Sequence, residues 1–227
     1  MQLKLIQQHI SDYKKWLRTP QATHNLHKWE SQQIFQEQWD MDSLKFAAMY
    51  DQSLQNSTTR RIWNRESYAP KHMMLEFAKM QPHFVEAMFR ELFEETKDIG
   101  ARVDRFVFYC DELLREYKQV HPTSIQNSHY HDDGYEMISH YLAFRFPEQY
   151  TPYRLDVFQA AMQKIGSRDI PRTNDFARYS KVMRTLMNFL QKEEELLELH
   201  QERLREEHYT GKSQLLVEDF VWFFTGM

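Results

Sequence analysis

Between Val103 and Tyr117 an apolar stripe runs through Val103, Phe106, Val107, Cys110, Leu113, Leu114 and Tyr117. Spacings of three and four line one face of an α-helix and cannot line one face of a strand. The same period recurs at Leu3, Ile6, Ile10, Tyr13 and Leu17, at Phe84, Val85, Met88, Phe89, Leu92 and Phe93, and at Phe176, Tyr179, Val182, Met183, Leu186, Phe189 and Leu190. Turn chemistry points the same way. With 5 glycines and 7 prolines in 227 residues, the chain lacks the tight turns that a sandwich or barrel needs every 8–12 residues or so. The β-prone run Phe106–Tyr109 sits inside helical periodicity. The expected fold is therefore all-α, a multi-helix, bundle-like domain over residues 1–227 with a weak sub-boundary near 120–131. It includes one long C-terminal helix, from Thr173 or Asn174 to about Glu207.

Local signals punctuate this pattern. Pro20 stops the first helix, and a second is expected from His24 to Gln38 with Leu26, Trp29 and Phe35 inward. Asp40 or Asp42 is placed to cap a third, carrying Leu44, Ala47, Ala48 and Leu54. Pro70 and Pro82 suit first helical positions. Asp98 precedes the Val103 stripe, which reads as the central helix. Pro122 opens the longest stretch without periodicity, after which Asp132 or Asp133 can cap a helix ending before Pro147. A helix from Pro152 to Ile165 has Gly166 as its C-cap, and a last one runs from about Ser213 to Phe224.

The formal charge of −4 and pI near 6.3 exclude a globally basic nucleic-acid binder, so any such contact needs a local patch. One cysteine, Cys110, excludes an internal disulfide and a cysteine-based zinc site. It fits a cytoplasmic, reducing compartment and reads as a buried core thiol. The amphipathic start, Met1 to Gln8, lacks a signal-peptide apolar region. No run approaches the ~18 apolar residues that would span a membrane.

Two stretches carry candidate chemistry. The first is Arg60, Arg61, Trp63 and Arg65, followed by Lys71: cations for phosphate and an interleaved ring for packing or base stacking. Arg102 and Arg105 are possible additions. The second is His129-Tyr130-His131-Asp132-Asp133, where His129, His131 and Asp133 have the donor types of a metal site. Their spacing matches neither a helical i, i+4 pair nor a di-iron Glu-x-x-His set, and a helix start explains the same residues. The five tryptophans, Trp16, Trp29, Trp39, Trp63 and Trp222, suggest core packing more than an aromatic cage. Thr210-Gly211-Lys212-Ser213 imitates the end of a phosphate-binding loop, but Glu206 stands where its first glycine belongs and no strand precedes it. No catalytic set or cofactor motif is present, so the chain reads as non-enzymatic.

Several longer stretches share a pattern: Lys28-Trp29-Glu30, Phe35-Gln36, Trp39-Asp40-Met41-Asp42 with Phe46 and Met49, Met88 to Glu95, and Tyr141 to Tyr150 with Tyr153. Together they resemble the helical N-terminal domain of McrB-like AAA+ restriction proteins of anti-phage defence. The shared residues are aromatic and structural. The resemblance implies a recognition module for DNA or another target, working with a downstream AAA+ motor or a partner nuclease. The apolar end, Phe220 to Met227, would suit a chain that continues into such a domain. Two alternatives accompany this reading. One is a protein-interaction module that senses a phage protein or assists assembly as a homo-oligomer, using the acidic Glu193–Glu207 helix and the apolar C-terminal helix. The other is a His/Asp metalloenzyme.

Overall fold

The computed structural model describes residues 1–63, 69–122 and 135–226, with Thr59 and Arg60 described by their backbone alone. Every regular element among them is helical. In order they are α1 (Leu3–Leu17), a 3₁₀ turn (Pro20–Thr23), α2 (His27–Gln38), α3 (Phe46–Ser53), α4 (Thr59–Ile62), α5 (Pro70–Met80), α6 (Pro82–Leu92) and α7 (Ile99–Val120). After these come α8 (Glu136–Arg145), α9 (Leu155–Lys164), α10 (Phe176–Leu190), α11 (Glu194–Arg203) and α12 (Leu215–Thr225). The all-α, bundle-like expectation is met.

Local chemistry explains several helix ends. Pro70 and Pro82 occupy first helical positions, where the missing N–H has no intrahelical partner to lose. Asp98 caps α7, its carboxylate accepting from the Ala101 N–H at 3.0 Å. Gly166 closes α9 with φ +68°: the Ser167 N–H reaches Met162 O at 2.9 Å and the Gly166 N–H reaches Gln163 O at 3.0 Å. This pair of bonds is the Schellman arrangement, which favours glycine because its central residue is left-handed.

Three expectations change. The long C-terminal helix is two helices, broken at Gln191–Glu193, where i→i−3 bonds to Phe189 and Leu190 carbonyls end α10. Glu194 and Glu195 then stand in the first turn of α11, where the positive end of the helix dipole stabilises them. The acidic run is thus a helix start rather than a solvated stretch of a longer helix. The third helix carries its buried face on Phe46, Met49, Tyr50 and Ser53. Leu44 lies outside it, fully exposed, and Asp40 instead accepts from the Asp42 N–H at 2.9 Å. Finally, the N-cap of α8 is Tyr135, not Asp132 or Asp133, which lie outside the described residues.

The centre of the fold is α8. Residues Met137 to Phe144 are all buried, so this helix is enclosed on every side, whereas α7 keeps Phe108 in solvent. Periodicity misdirects here, because a stripe marks a helix with one wet face and a fully enclosed helix has none. Around α8 sits an aromatic cluster organised on Phe89. Its ring lies 5.0–5.8 Å from those of Tyr141, Phe106, Trp39, Phe46 and Tyr50. The Tyr50 and Tyr141 hydroxyls hydrogen-bond at 2.5 Å. Gln32 of α2 donates to Ala143 O at 2.9 Å, which fixes α2 on α8.

The two ends of the chain meet in a second packed region, where α1 lies against α11 and α12. At its middle Arg203 and Asp219 form a buried ion pair at 2.7 Å. Tyr13 donates to the same carboxylate at 2.7 Å and Asn25 donates to its other oxygen at 3.2 Å. Arg203 also donates to Ala22 O at 2.7 Å and packs its guanidinium 5.2 Å from the Trp29 ring centre.

Candidate functional site

The linear basic segment does not survive folding as one surface. Trp63 is fully buried, stacked on Tyr141 at 5.5 Å and 14° with Phe144 at its edge. No face of the indole is open to a base, which corrects the stacking expectation and leaves the packing one. Lys71 is buried in the first turn of α5 and pairs with Asp51 at 2.8 Å, so its charge is spent inside the protein. Arg61 is exposed and donates from one guanidinium nitrogen to His24 O at 2.9 Å. Arg65 and the Arg60 side chain lie outside what the structure describes. Arg102 is also buried, donating to Leu92 O at 2.7 Å and Tyr150 Oη at 2.8 Å, and Arg105 pairs with Glu91 at 3.0 Å.

A different basic surface lies on residues 164–184. Lys164 ends α9, Arg168 and Arg172 follow in the connection to α10, and Arg178, Lys181 and Arg184 lie on α10; Asp169 and Asp175 are the carboxylates among them. The connection folds back on the helix. Arg178 bonds both the carbonyl of Asp169 at 2.6 Å and its carboxylate at 3.1 Å, while Asp175 caps α10 through the Arg178 N–H at 3.0 Å. Those two acids are thereby committed. Lys164, Arg168, Arg172, Lys181 and Arg184 are all exposed and make no ion pair among the described residues. Unlike the contiguous run at Arg60–Arg65, these cations are dispersed along the sequence. A spacing of three on α10, at 178, 181 and 184, is the local signal for part of the set; Arg168 and Arg172 lie in the irregular connection, where spacing carries no such signal.

A cleft of about 240 Å³ opens elsewhere on the molecule. Its walls come from α2, α4, α8, α9 and the segment before it, α10 and α12, and its polar lining includes His27, Lys28, Arg61, Glu136, His140, Arg154, Glu218 and Trp222. Glu218 is 4% exposed. Lys28 pairs with one of its oxygens, and the other, Oε2, has no hydrogen-bond partner. Burial raises its pKa, with Asp219 adding to the rise; Lys28 and the nearby Trp222 side chain oppose it. His27 Nδ1 is likewise buried without a partner. Burial, with the charges of Lys28 and Arg61, lowers the His27 pKa to about 4, so the ring is neutral at pH 7. The Lys28 ammonium and the Arg154 guanidinium lie 5.0 and 5.2 Å from the Trp222 ring centre. Of His27, Lys28, Arg61, Arg154, Glu218 and Trp222, the sequence marks Arg61 in the basic segment and Trp222 among the tryptophans weighed as a cage; it does not mark His27, Lys28, Arg154 or Glu218 as site residues. The six are drawn from four separated stretches, so no local motif marks the set.

His129, His131 and Asp133 lie outside the described residues. Among the described residues no group of three or more His, Cys, Asp or Glu side chains could hold a metal ion, and no helix is long and apolar enough to cross a membrane. Cys110 is fully buried, with its thiol pKa raised by burial. The two surfaces expected for protein contact are also altered. The apolar α12 is core from Leu215 to Val221, and Glu193 and Glu195 are tied to Lys14 and Arg18 of α1. Among the described residues the exposed aromatics are instead Phe84 and Phe108, each against Tyr109.

Comparison with protein-family models, with curated proteins and with solved structures finds no match to this chain.

Proposed function

We propose that this chain is a non-enzymatic recognition module of the McrB-like restriction type, holding DNA through its phosphates and passing that binding to an AAA+ motor or partner nuclease. The observation that supports it is the set of exposed cations without acidic partners on residues 164–184. Five side chains left without an acidic partner, on a segment braced by Arg178, form a local positive field on a protein of net negative charge. Arg61 is the residue of the Arg60–Lys71 segment whose described side chain is exposed.

Phosphate contacts release counterions, so log K should fall against log salt with a slope of about −0.9 per contact. Five contacts give a slope of about −4 to −5. The test is fluorescence anisotropy on a short labelled duplex from about 50 to 200 mM salt, a range over which such an affinity changes steeply. The Arg168→Ala/Arg172→Ala/Lys181→Ala/Arg184→Ala variant should weaken binding and flatten the slope by about 3 to 4. No binding at the lowest salt, or an unchanged slope in the variant, refutes the proposal.

A further inference from the structure

The cleft walled by α2 and α12 carries an assignment of its own, independent of the DNA surface. Buried polar atoms are almost always satisfied, because an unpaired one loses its water without recovering a bond. Nine side-chain atoms among the described residues are in that position, and two of them, Glu218 Oε2 and His27 Nδ1, belong to residues that line one cavity. Glu218 is a carboxyl group in the middle of a helix that is otherwise core. Core position alone would favour an apolar residue there. Lys28 pairs with one oxygen of the Glu218 carboxyl, and the Trp222 side chain lies close to the group.

The rim has the opposite character. Arg61 spends one nitrogen on the His24 carbonyl and keeps the rest of its fork. Arg154 pairs with Asp156, Nε donating at 3.2 Å, and its guanidinium lies over Trp222. A guanidinium fork matches the geometry of phosphate. The volume, about 240 Å³, falls below the ~300–1,000 Å³ of sites for drug-sized ligands, so the occupant is small and part of it stays at the mouth.

We propose that this cleft binds a small phosphate monoester whose ring carries hydroxyl or N–H donors. The donors meet Glu218 Oε2 and the His27 ring inside, and the phosphate is held at the rim by Arg61. Sugar phosphates and mononucleotides share this chemistry. The site makes the module a sensor of a soluble ligand as well as a holder of nucleic acid.

Isothermal titration calorimetry on the full chain tests this with ribose 5-phosphate, AMP, ribose, adenosine and inorganic phosphate. Saturable binding of ribose 5-phosphate or AMP is expected, the tighter of the two naming the source. Their unphosphorylated counterparts and phosphate alone should bind at least about tenfold more weakly, since each lacks one of the two charge-assisted anchor sets. Arg61→Ala, at an exposed position, should lower affinity for the preferred ligand about tenfold without altering Tm. Glu218→Gln should lower it by a similar factor, and Arg168→Ala/Arg172→Ala should leave it unchanged. Absence of heat with every probe at millimolar concentration overturns the proposal, as does equal affinity of wild type and Arg61→Ala. Because the outer cations are separate residues, loss of DNA binding in their variant leaves this result independent.

Discussion

Arg203 and Asp219 lock the two chain ends together, and Asp219→Ala measures how strongly. The substitution leaves the Arg203 guanidinium, 5% exposed, with no counter-charge. It also takes an acceptor from Tyr13 and from Asn25. Arg203 keeps its bond to Ala22 O, its contact with His200 Nδ1 at 3.1 Å and its place over the Trp29 ring, which moderates the loss without neutralising the charge. Removing one partner of a buried pair costs about 3–5 kcal/mol, most of it the penalty of the stranded charge. Urea unfolding followed by far-ultraviolet circular dichroism should show the midpoint falling with little change in slope. The double variant Arg203→Met/Asp219→Leu removes both charges and should recover much of the loss, because the penalty belongs to the unpaired ion rather than to the pair. An Asp219→Ala protein within about 1 kcal/mol of wild type would refute the reasoning, since no unpaired buried guanidinium is that cheap. A double variant worse than the single would refute it as well.

Two further outcomes follow from particular residues. His200 is buried with its pKa lowered to about 3 by burial first and Arg203 second. Its neutral form is what folding selects, so no stability is lost above pH 6.5. As pH falls below 6.5 the unfolded chain takes up a proton that the native state refuses, costing about 2–3 kcal/mol by pH 4.5; His200→Gln should flatten that part of a Tm-against-pH curve. Gly166→Ala forces a left-handed alanine and places its Cβ 2.7 Å from Gln2 Nε2. A loss of about 1–2 kcal/mol in denaturant unfolding is expected, with an unchanged midpoint as the contrary result.

How much of this fold was legible depended on whether the cue was local. Proline at the heads of α5 and α6, Asp98 before α7 and Gly166 after α9 act through their own backbone or the next turn, so each could be read directly. The break after Leu190 was equally local yet misread. Three successive glutamates suit a solvated helix surface and a helix start alike, and only the shift of the buried position to Leu196 separates them. The place of α8 was not legible at all. Its near-continuous burial from Met137 to Phe144 abolishes the stripe on which periodicity depends, and its enclosure is a property of its neighbours.

The same distinction accounts for the candidate site residues. A run such as Arg60-Arg61-Ile62-Trp63 looks like an interface because charge and aromaticity are adjacent in sequence, but adjacency in a helical turn separates side chains by about 100° each. Trp63 is thereby drawn into the α8 cluster while Arg61 is left outside. Residues meant to act together on a helix recur at three and four, as Lys181 and Arg184 do, and the connection before α10 adds Arg168 and Arg172 by folding back through Arg178. The cleft takes this further. Glu218 reads as a polar interruption in an apolar C-terminal helix, and His27 and Lys28 as the start of another. Only when α12 inserts against the chain's beginning do a half-answered carboxylate, a neutral imidazole and a tryptophan between two cations face one space.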